Sequence, residues 1–446
     1  MHDLIVIGAG PGGYEAALHA ARLGKSVLLA EKQYLGGTCL NVGCIPTKSL
    51  LHAAHLFELA QQAGEAGVVI QGKPSFDMAV AARRKNQVVG QLTRGVGSLL
   101  QSAKVEVVMG AARLVAPGKV EVAGKTYETR NVLIATGSRP ARPPIPGLDS
   151  PSVRDSTGIL ELESIPPRLA IIGAGVIGLE FASLFASVGS KVHVVEMLDR
   201  VAPGADLEVA AALQKMLKKR GVEFSLAAKV KRIAGGTLHY ERGGQELSLE
   251  ADCILSATGR APVVQGLGLE DLKVDFSPKG IRSDERSRTN VPGVWACGDV
   301  TGRCLLAHAA VREGQVAVNN MFGQPDRMSY RAMPCVIYTH PEVAWAGLTE
   351  EEARERGIEF TAERKPLRVA GRYLIECDKE PGFCKVIMGA RHREVLGVHI
   401  IGARCSEMIW GAAALIEAEL RAPDIAKIIF PHPTVSEAIK DTLLAH

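Results

Sequence analysis

The residues of this 446-residue chain best suited to chemistry are Cys39 and Cys44, set in Gly36-Gly37-Thr38-Cys39-Leu40-Asn41-Val42-Gly43-Cys44-Ile45-Pro46-Thr47-Lys48. Glycines on both sides allow a loop that brings the two sulfurs together, so the pair reads as a redox-active disulfide. Pro46 fits the first turn of a helix continuing through Lys48-Ser49-Leu50-Leu51-His52. Cys44 then stands at a helix N-terminus with Lys48 one turn along. Helix dipole and ammonium both favour a thiolate, and together bring a cysteine pKa from about 8.5 toward roughly 4–7. The competing reading is two independent buried cysteines. The other seven of the nine cysteines are scattered singly, without a C-x-x-C pair or a Cys/His cluster at zinc spacing. They read as inert thiols, with no metal site expected and a cytoplasmic chain.

A second chemical candidate is His432, between Pro431 and Pro433 and just before a short terminal helix. A lone histidine is more often a packing or surface residue than a base. Glu437, however, is placed to orient its imidazole. Thr434-Val435-Ser436-Glu437 also reads as a capping box, and a carboxylate with two oxygens serves both roles.

Elements must hold these groups in place, and a repeat supplies them. Asp3-Leu4-Ile5-Val6-Ile7 is a buried-strand run, followed by Gly8-Ala9-Gly10-Pro11-Gly12-Gly13, a helical pattern to Leu23, and a second strand ending at Glu31. Gly8 permits the tight turn, Gly10 lets backbone approach a pyrophosphate, and Gly13 lets helix and strand pack closely. The helix N-terminus faces the phosphates and the acid accepts from a ribose hydroxyl. The unit recurs as Leu169-Ala170-Ile171-Ile172, then Gly173, Gly175 and Gly178, a helix, and a strand ending at Glu196; in each copy the acid follows the first glycine by 23 residues. One glycine fingerprint is a weak signal, but two with matched strands, helices and acids are strong. Each copy later meets the tripeptide Ala-Thr-Gly, at 135–137 and at 257–259. Two different dinucleotides are implied, the first unit carrying the cysteine insert.

Length alone suggests roughly three domains. Apolar content of 47%, charged content of 22% and a net charge of +4 describe a globular protein with no nucleic-acid patch. The apolar stretch Leu169 to Val188 has the length of a membrane span, yet it holds Glu180 and three glycines and splits into strand, turn and helix. A membrane span is not expected, nor is a signal peptide, since the chain begins directly in a strand.

The cysteine segment, both glycine fingerprints, Asn290-Val291-Pro292-Gly293-Val294-Trp295-Ala296-Cys297-Gly298-Asp299, Tyr338-Thr339-His340-Pro341-Glu342-Val343-Ala344 and His432-Pro433-Thr434-Val435-Ser436-Glu437 occur in the order found in the dihydrolipoamide dehydrogenase family. Over essentially its whole length the chain resembles that family. The resemblance implies an α/β fold: two Rossmann-like dinucleotide-binding domains, for FAD and NAD, plus a C-terminal α+β dimerisation domain. The expected boundaries are 1–143 for the FAD domain, 144–265 for the NAD domain, 266–330 for a return segment completing the FAD site, and 331–446 for the interface. Gly8, Gly10, Gly13 and Glu31 would hold the ADP part of FAD, with Gly37, Thr38, Ala112, Thr136, Gly137 and Ala307 as further contacts and Asp299 on the ribityl chain. Lys48 would lie near the flavin ring, paired with Glu180. That pairing also answers a physical need, because a carboxylate in so apolar a helix should not be buried alone. Gly173, Gly175, Gly178, Glu196, Val230, Gly259 and Arg260 would form the NAD site. Glu196 favours NAD over NADP, since a carboxylate accepts from a free 2′-hydroxyl and repels a 2′-phosphate; Arg200 reads as a loop-surface charge.

What the resemblance implies for function is an oxidoreductase that oxidises protein-bound dihydrolipoamide and reduces NAD. His432 of one subunit would serve the cysteines of the other in a homodimer, Cys39 facing substrate from its loop and Cys44 facing the flavin. Lipoyl domains and the acyltransferase core of a 2-oxoacid dehydrogenase complex would be partners, with no nucleic acid or membrane. The alternative is another flavin disulfide reductase, like those for glutathione or mercuric ion; Glu196 speaks against the first and a C-terminus without a cysteine pair against the second. A flavin-loaded docking scaffold fits poorly with retention of Cys39, Cys44, Lys48 and His432 together. Two departures stand out: Phe430-Pro431 where the family often has His-x before His-Pro, and a chain ending at His446 soon after the terminal helix.

Overall fold

The computed structural model describes residues 1–377 and 379–445; His446 lies outside them. Two parallel sheets are built to one plan. In the first, the strand order is Glu106–Met109, Val27–Glu31, His2–Ile7, Lys125–Ile134 and Val294–Ala296. In the second it is Val222–Ser225, Lys191–Val195, Arg168–Ile172, Cys253–Ser256 and Val153–Asp155. Each central strand is the one leading into a glycine turn. Its neighbours are the acid-bearing strand on one side and the Ala-Thr-Gly strand on the other, so the order reverses at the turn and opens a crevice there. Leu4, Ile5, Val6 and Ile7 are all buried, as a strand covered on both faces requires.

The likeness between the halves goes beyond the glycine turns. Each half carries an antiparallel three-stranded meander just after the outer parallel strand, Glu106–Met109 or Val222–Ser225: Ala112–Ala116, Lys119–Val122 and the start of Lys125–Ile134 in one, Ala228–Ala234, Thr237–Arg242 and Gln245–Glu250 in the other. A short antiparallel ladder, Ser138–Pro140 with Arg260–Pro262, ties the halves together.

The rest of the chain forms a third sheet, all antiparallel, in the order Cys335–Ile337, Glu342–Gly347, Val395–Gly402, Phe383–Gly389 and Phe360–Pro366. The helices Cys405–Glu417 and Glu437–Leu443 pack on it through Met408, Ile409, Ala438 and Leu443.

The helix Cys44–Gln62 is fixed by all of these parts. Its Leu50 and Ala54 share one core with Phe181 and Phe185 of the helix Val176–Ser187 and with Ile337, Val343 and Ile401 of the third sheet. Cys44 therefore rides on an element clamped by three separate stretches of chain. The stretch Leu169 to Val188 divides as expected into strand, turn and helix, and among the described residues no helix is long and apolar enough to cross a membrane.

Candidate active site

One continuous cleft of about 2080 Å³ runs past both glycine turns, and the cysteine pair lines it between them. The glycines explain its shape. Gly8 and Gly173 adopt φ of +102° and +106°, and a Cβ on either would come within 2.4 or 2.5 Å of the carbonyl oxygen of Ala135 or Ala257. Gly13 and Gly178 stand behind the turns, where a Cβ would lie 1.9 and 2.0 Å from the oxygens of Gly8 and Gly173. Gly10 and Gly175 differ: a Cβ there would project into open space. Each precedes a helix, Pro11–Arg22 or Val176–Ser187, that has no side-chain N-cap. Two bare helix N-termini thus open on the cleft with room for a phosphate against the backbone, which is the fit two dinucleotides require.

The acids match atom for atom. Glu31 accepts from the backbone N–H of Ala9 at 2.7 Å and of Gln33 at 2.8 Å. Glu196 accepts from Ala174 at 2.6 Å and Leu198 at 2.8 Å. Both carboxylates are buried at the lip of the cleft, each anchored by backbone so that its remaining lone pairs point to one place. Val230 and Gly259 line the same end, whereas Arg200 donates to the Pro203 carbonyl at 3.0 Å.

Cys39 lies in a short helix, Gly37–Val42, and not in the loop expected for it. Gly36 and Gly37, with φ of +87° and +57°, make the turn, and a Cβ on Gly37 would come within 2.6 Å of Gly10 Cα. The cysteine segment is thereby pressed directly against the first glycine turn. Cys44 begins the next helix after Gly43. Both cysteines are thiols, joined by a hydrogen bond. The hydrogen bond from Cys39, aided by the Lys48 ammonium, outweighs burial and brings Cys44 down to about 7. The same bond, with burial, drives Cys39 well above the ordinary thiol range.

Lys48 donates to both oxygens of Glu180, at 2.9 and 2.8 Å. Its ammonium lies 4.6 Å from the centre of the Tyr338 ring, while the Tyr338 N–H donates to Glu180 at 3.0 Å. Tyr338 has no role in the sequence reading, although its motif is quoted there; only the long-range contact reveals it.

On the far wall, Ser138 donates a short hydrogen bond to Asp299, and Arg260 donates to the Ser138 hydroxyl and carbonyl at 2.6 and 2.7 Å. Arg260 Nε is also 3.7 Å from Asp299. Arg260 lines the cleft next to Gly259, and its guanidinium also reaches across the link between the halves toward Asp299. Thr136 is tied to the Val263 carbonyl at 2.8 Å. Thr38, Ala112, Gly137 and Ala307 line the cleft, Ala307 at the start of the helix Ala307–Met321. Glu313 of that helix, absent from the sequence reading, accepts from the Gly298 N–H at 2.6 Å and so fixes the turn that carries Asp299.

His432 and Glu437 are not in this cleft. The His432 side chain is 76% exposed, its Nδ1 2.8 Å from Glu437. The other Glu437 oxygen accepts from the Thr434 N–H at 3.0 Å. The expected capping box is only half formed: the Thr434 hydroxyl turns away to the Pro431 carbonyl, and the helix starts at Glu437 itself. A complete box occurs elsewhere, at Thr349 and Glu352. Glu437 thus holds the imidazole by one nitrogen and leaves Nε2 facing outward.

Residues 2–314 match the family model described as pyridine nucleotide-disulphide oxidoreductase, and residues 333–443 match the dimerisation domain of the same family. Dihydrolipoyl dehydrogenase 3 of Pseudomonas putida is 41% identical, covering 99% of this chain and 97% of that protein. A dihydrolipoyl dehydrogenase of Bacillus subtilis is 39% identical, covering 99% and 98%. Among solved structures, LpdA from Mycobacterium tuberculosis superposes with a TM-score of 0.90 at 25% identity over 99% of this chain and 98% of that one. The HOCl-induced flavoprotein disulfide reductase RclA from Escherichia coli gives 0.87 at 29%, covering 99% of each chain.

Proposed function

The chain belongs to the pyridine nucleotide-disulphide oxidoreductase family, and from that premise we propose that it oxidises dihydrolipoamide carried on a protein and reduces NAD. Its cofactors are FAD and NAD, and it carries the family's dimerisation domain. The observation that carries the reading is the thiol pair Cys39 and Cys44, lining the cleft between two nucleotide cradles with the Lys48–Glu180 pair beside it.

FAD bound at the first turn would supply two-electron acceptor chemistry beside the cysteines, and NAD at the second would supply a hydride acceptor. The protein's own residues do the rest. His432, held by Glu437, takes a proton from the substrate dithiol; because it lies outside its own cleft, it does so for the cysteines of a second copy. The substrate thiolate attacks Cys39 in the Cys39–Cys44 disulfide, a bond forms to Cys39, and Cys44 leaves as a thiolate. The second substrate thiol then displaces Cys39, which departs with a proton, and closed lipoamide leaves. Lys48, held by Glu180 and Tyr338, keeps positive charge beside Cys44. Glu31 and Asp299 would hold FAD at the first turn, and Glu196 would hold NAD at the second. Lipoyl domains of a 2-oxoacid dehydrogenase complex are the proposed carriers, its acyltransferase core the docking partner, and the cytoplasm the proposed compartment.

Steady-state assays of the purified protein with dihydrolipoamide, with NAD and NADP in separate runs, test this. NAD reduction at least tenfold more efficient than NADP reduction is expected. Absence of dihydrolipoamide oxidation together with brisk NADPH-dependent reduction of glutathione disulfide would replace the reading with the other direction of the family's chemistry.

A further inference from the structure

We propose that His55, Glu58 and His340 form a binding site for a divalent transition-metal ion of the Zn²⁺ type, separate from the cysteine pair. Among the described residues they are the one group of three metal-ligating side chains whose donor atoms all lie within 4.8 Å of one another. His55 and Glu58 are a turn apart on the helix Cys44–Gln62 and so share a face. His340 comes from the turn between the strands Cys335–Ile337 and Glu342–Gly347 of the third sheet, and its ring centre is 4.6 Å from that of His55. Nothing in the spacing of the sequence announces the group, because the third member arrives from a distant part of the chain.

The donors are held yet left unsatisfied. His55 Nδ1 and Glu58 Oε2 are buried atoms without a hydrogen-bond partner, a costly arrangement unless something occupies the space between them. Their nearest approach, 4.0 Å, is too long for a hydrogen bond. Meanwhile the rest of the cluster is braced. Arg220 binds the other Glu58 oxygen, Glu380 binds His340 Nε2 at 2.5 Å, and the backbone N–H of His340 donates to Ser183 Oγ at 3.0 Å. The Glu380 Oε2 atom is likewise buried and without a hydrogen-bond partner. Such outer partners are what orient ligating side chains around an ion.

Two imidazoles with carboxylate select zinc, copper or nickel over magnesium or calcium, which want an all-oxygen shell. The site also has a consequence for the fold. It joins the helix that begins at Cys44 to the segment whose Tyr338 covers Lys48, so an ion there staples two elements of the cysteine site about 16 Å from Cys44 by helical rise. This inference goes beyond the proposed function and does not depend on it.

The test uses the oxidised FAD-loaded protein, in which Cys39 and Cys44 are tied up as a disulfide. Titration with ZnCl₂ against a chromophoric chelator should show one tight equivalent per chain, weakened tenfold or more by His55→Gln and by His340→Gln. X-ray absorption of the zinc-loaded native protein should show only nitrogen and oxygen ligands near ~2.0–2.1 Å. No binding, binding indifferent to both substitutions, or sulfur scattering near ~2.3 Å overturns the proposal. Because the absorption spectrum is taken on the native protein, it decides the matter even where a histidine variant fails to fold.

Discussion

Lys48 and Glu180, 132 positions apart in the chain, meet through two hydrogen bonds of 2.9 and 2.8 Å, and their charges act on Cys44 in opposite senses. The ammonium lowers the thiol pKa and the carboxylate raises it. Lys48→Met should therefore move the pH midpoint of thiolate formation in the two-electron-reduced protein upward by about one unit, worth about 1.4 kcal/mol. Glu180→Gln should move it slightly downward. Following the long-wavelength thiolate–flavin absorbance across pH checks both signs, and a midpoint unmoved by Lys48→Met removes Lys48 from this role.

That midpoint itself should fall near pH 7 in the native protein. Cys44 is held at about 7, below the ordinary thiol, chiefly by the hydrogen bond from Cys39. Its thiolate is thus present above that pH and lost as pH falls through it. Cys44→Ser should abolish the long-wavelength band, whereas Cys39→Ala should show it with the flavin still oxidised and with its midpoint shifted upward, since the donor to Cys44 is gone. Survival of the band in the Cys44 variant would reverse the assignment.

His432→Gln should lower kcat by about 10²- to 10⁴-fold while leaving FAD bound. Since His432 faces away from its own cleft, a hybrid dimer settles where it acts. Pairing a His432→Gln subunit with a Cys39→Ser/Cys44→Ser subunit leaves one complete site if the base crosses the interface, and up to half of native activity should return on mixing. Mixed dimers as inactive as their parents would place the base within one chain.

Gly13→Ala and Gly178→Ala should separate the two cradles. Each places a methyl within 2.0 Å of a backbone oxygen that cannot yield without opening its turn. The first should purify depleted of FAD. The second should keep its yellow colour and its reduction by dihydrolipoamide, yet raise the KM for NAD tenfold or more. Each should also lose about 1–3 kcal/mol of stability in denaturant titration.

Much of this site is legible in the sequence because its parts are local. A strand, a glycine turn and an acid at fixed spacing lie within one supersecondary unit, so Glu31 and Glu196 can be read in place and end in the same contacts. The Lys48–Glu180 pair is legible for another reason: a carboxylate in an apolar helix demands a cation. Arg260, Ser138, Tyr338 and Glu313 follow neither rule. Their partners come from elsewhere in the fold, and an exposed arginine and one bridging two halves look alike in sequence. The helix at Gly37–Val42 is hidden too, because two glycines with positive φ read as loop although they only turn the chain into the helix. Thr434 shows the limit of a motif, its hydroxyl having a nearer carbonyl to satisfy.

The two halves, matched down to which backbone N–H each acid accepts and where each meander falls, give the molecule its own reference sample. A feature present in both halves belongs to the common task of gripping a dinucleotide, and one present in a single half marks what is particular to that half. By that reckoning the segment from Gly36 to Lys48 is what sets the first half apart as the bearer of sulfur chemistry, and it sits where Gly37 alone can press so closely on the glycine turn.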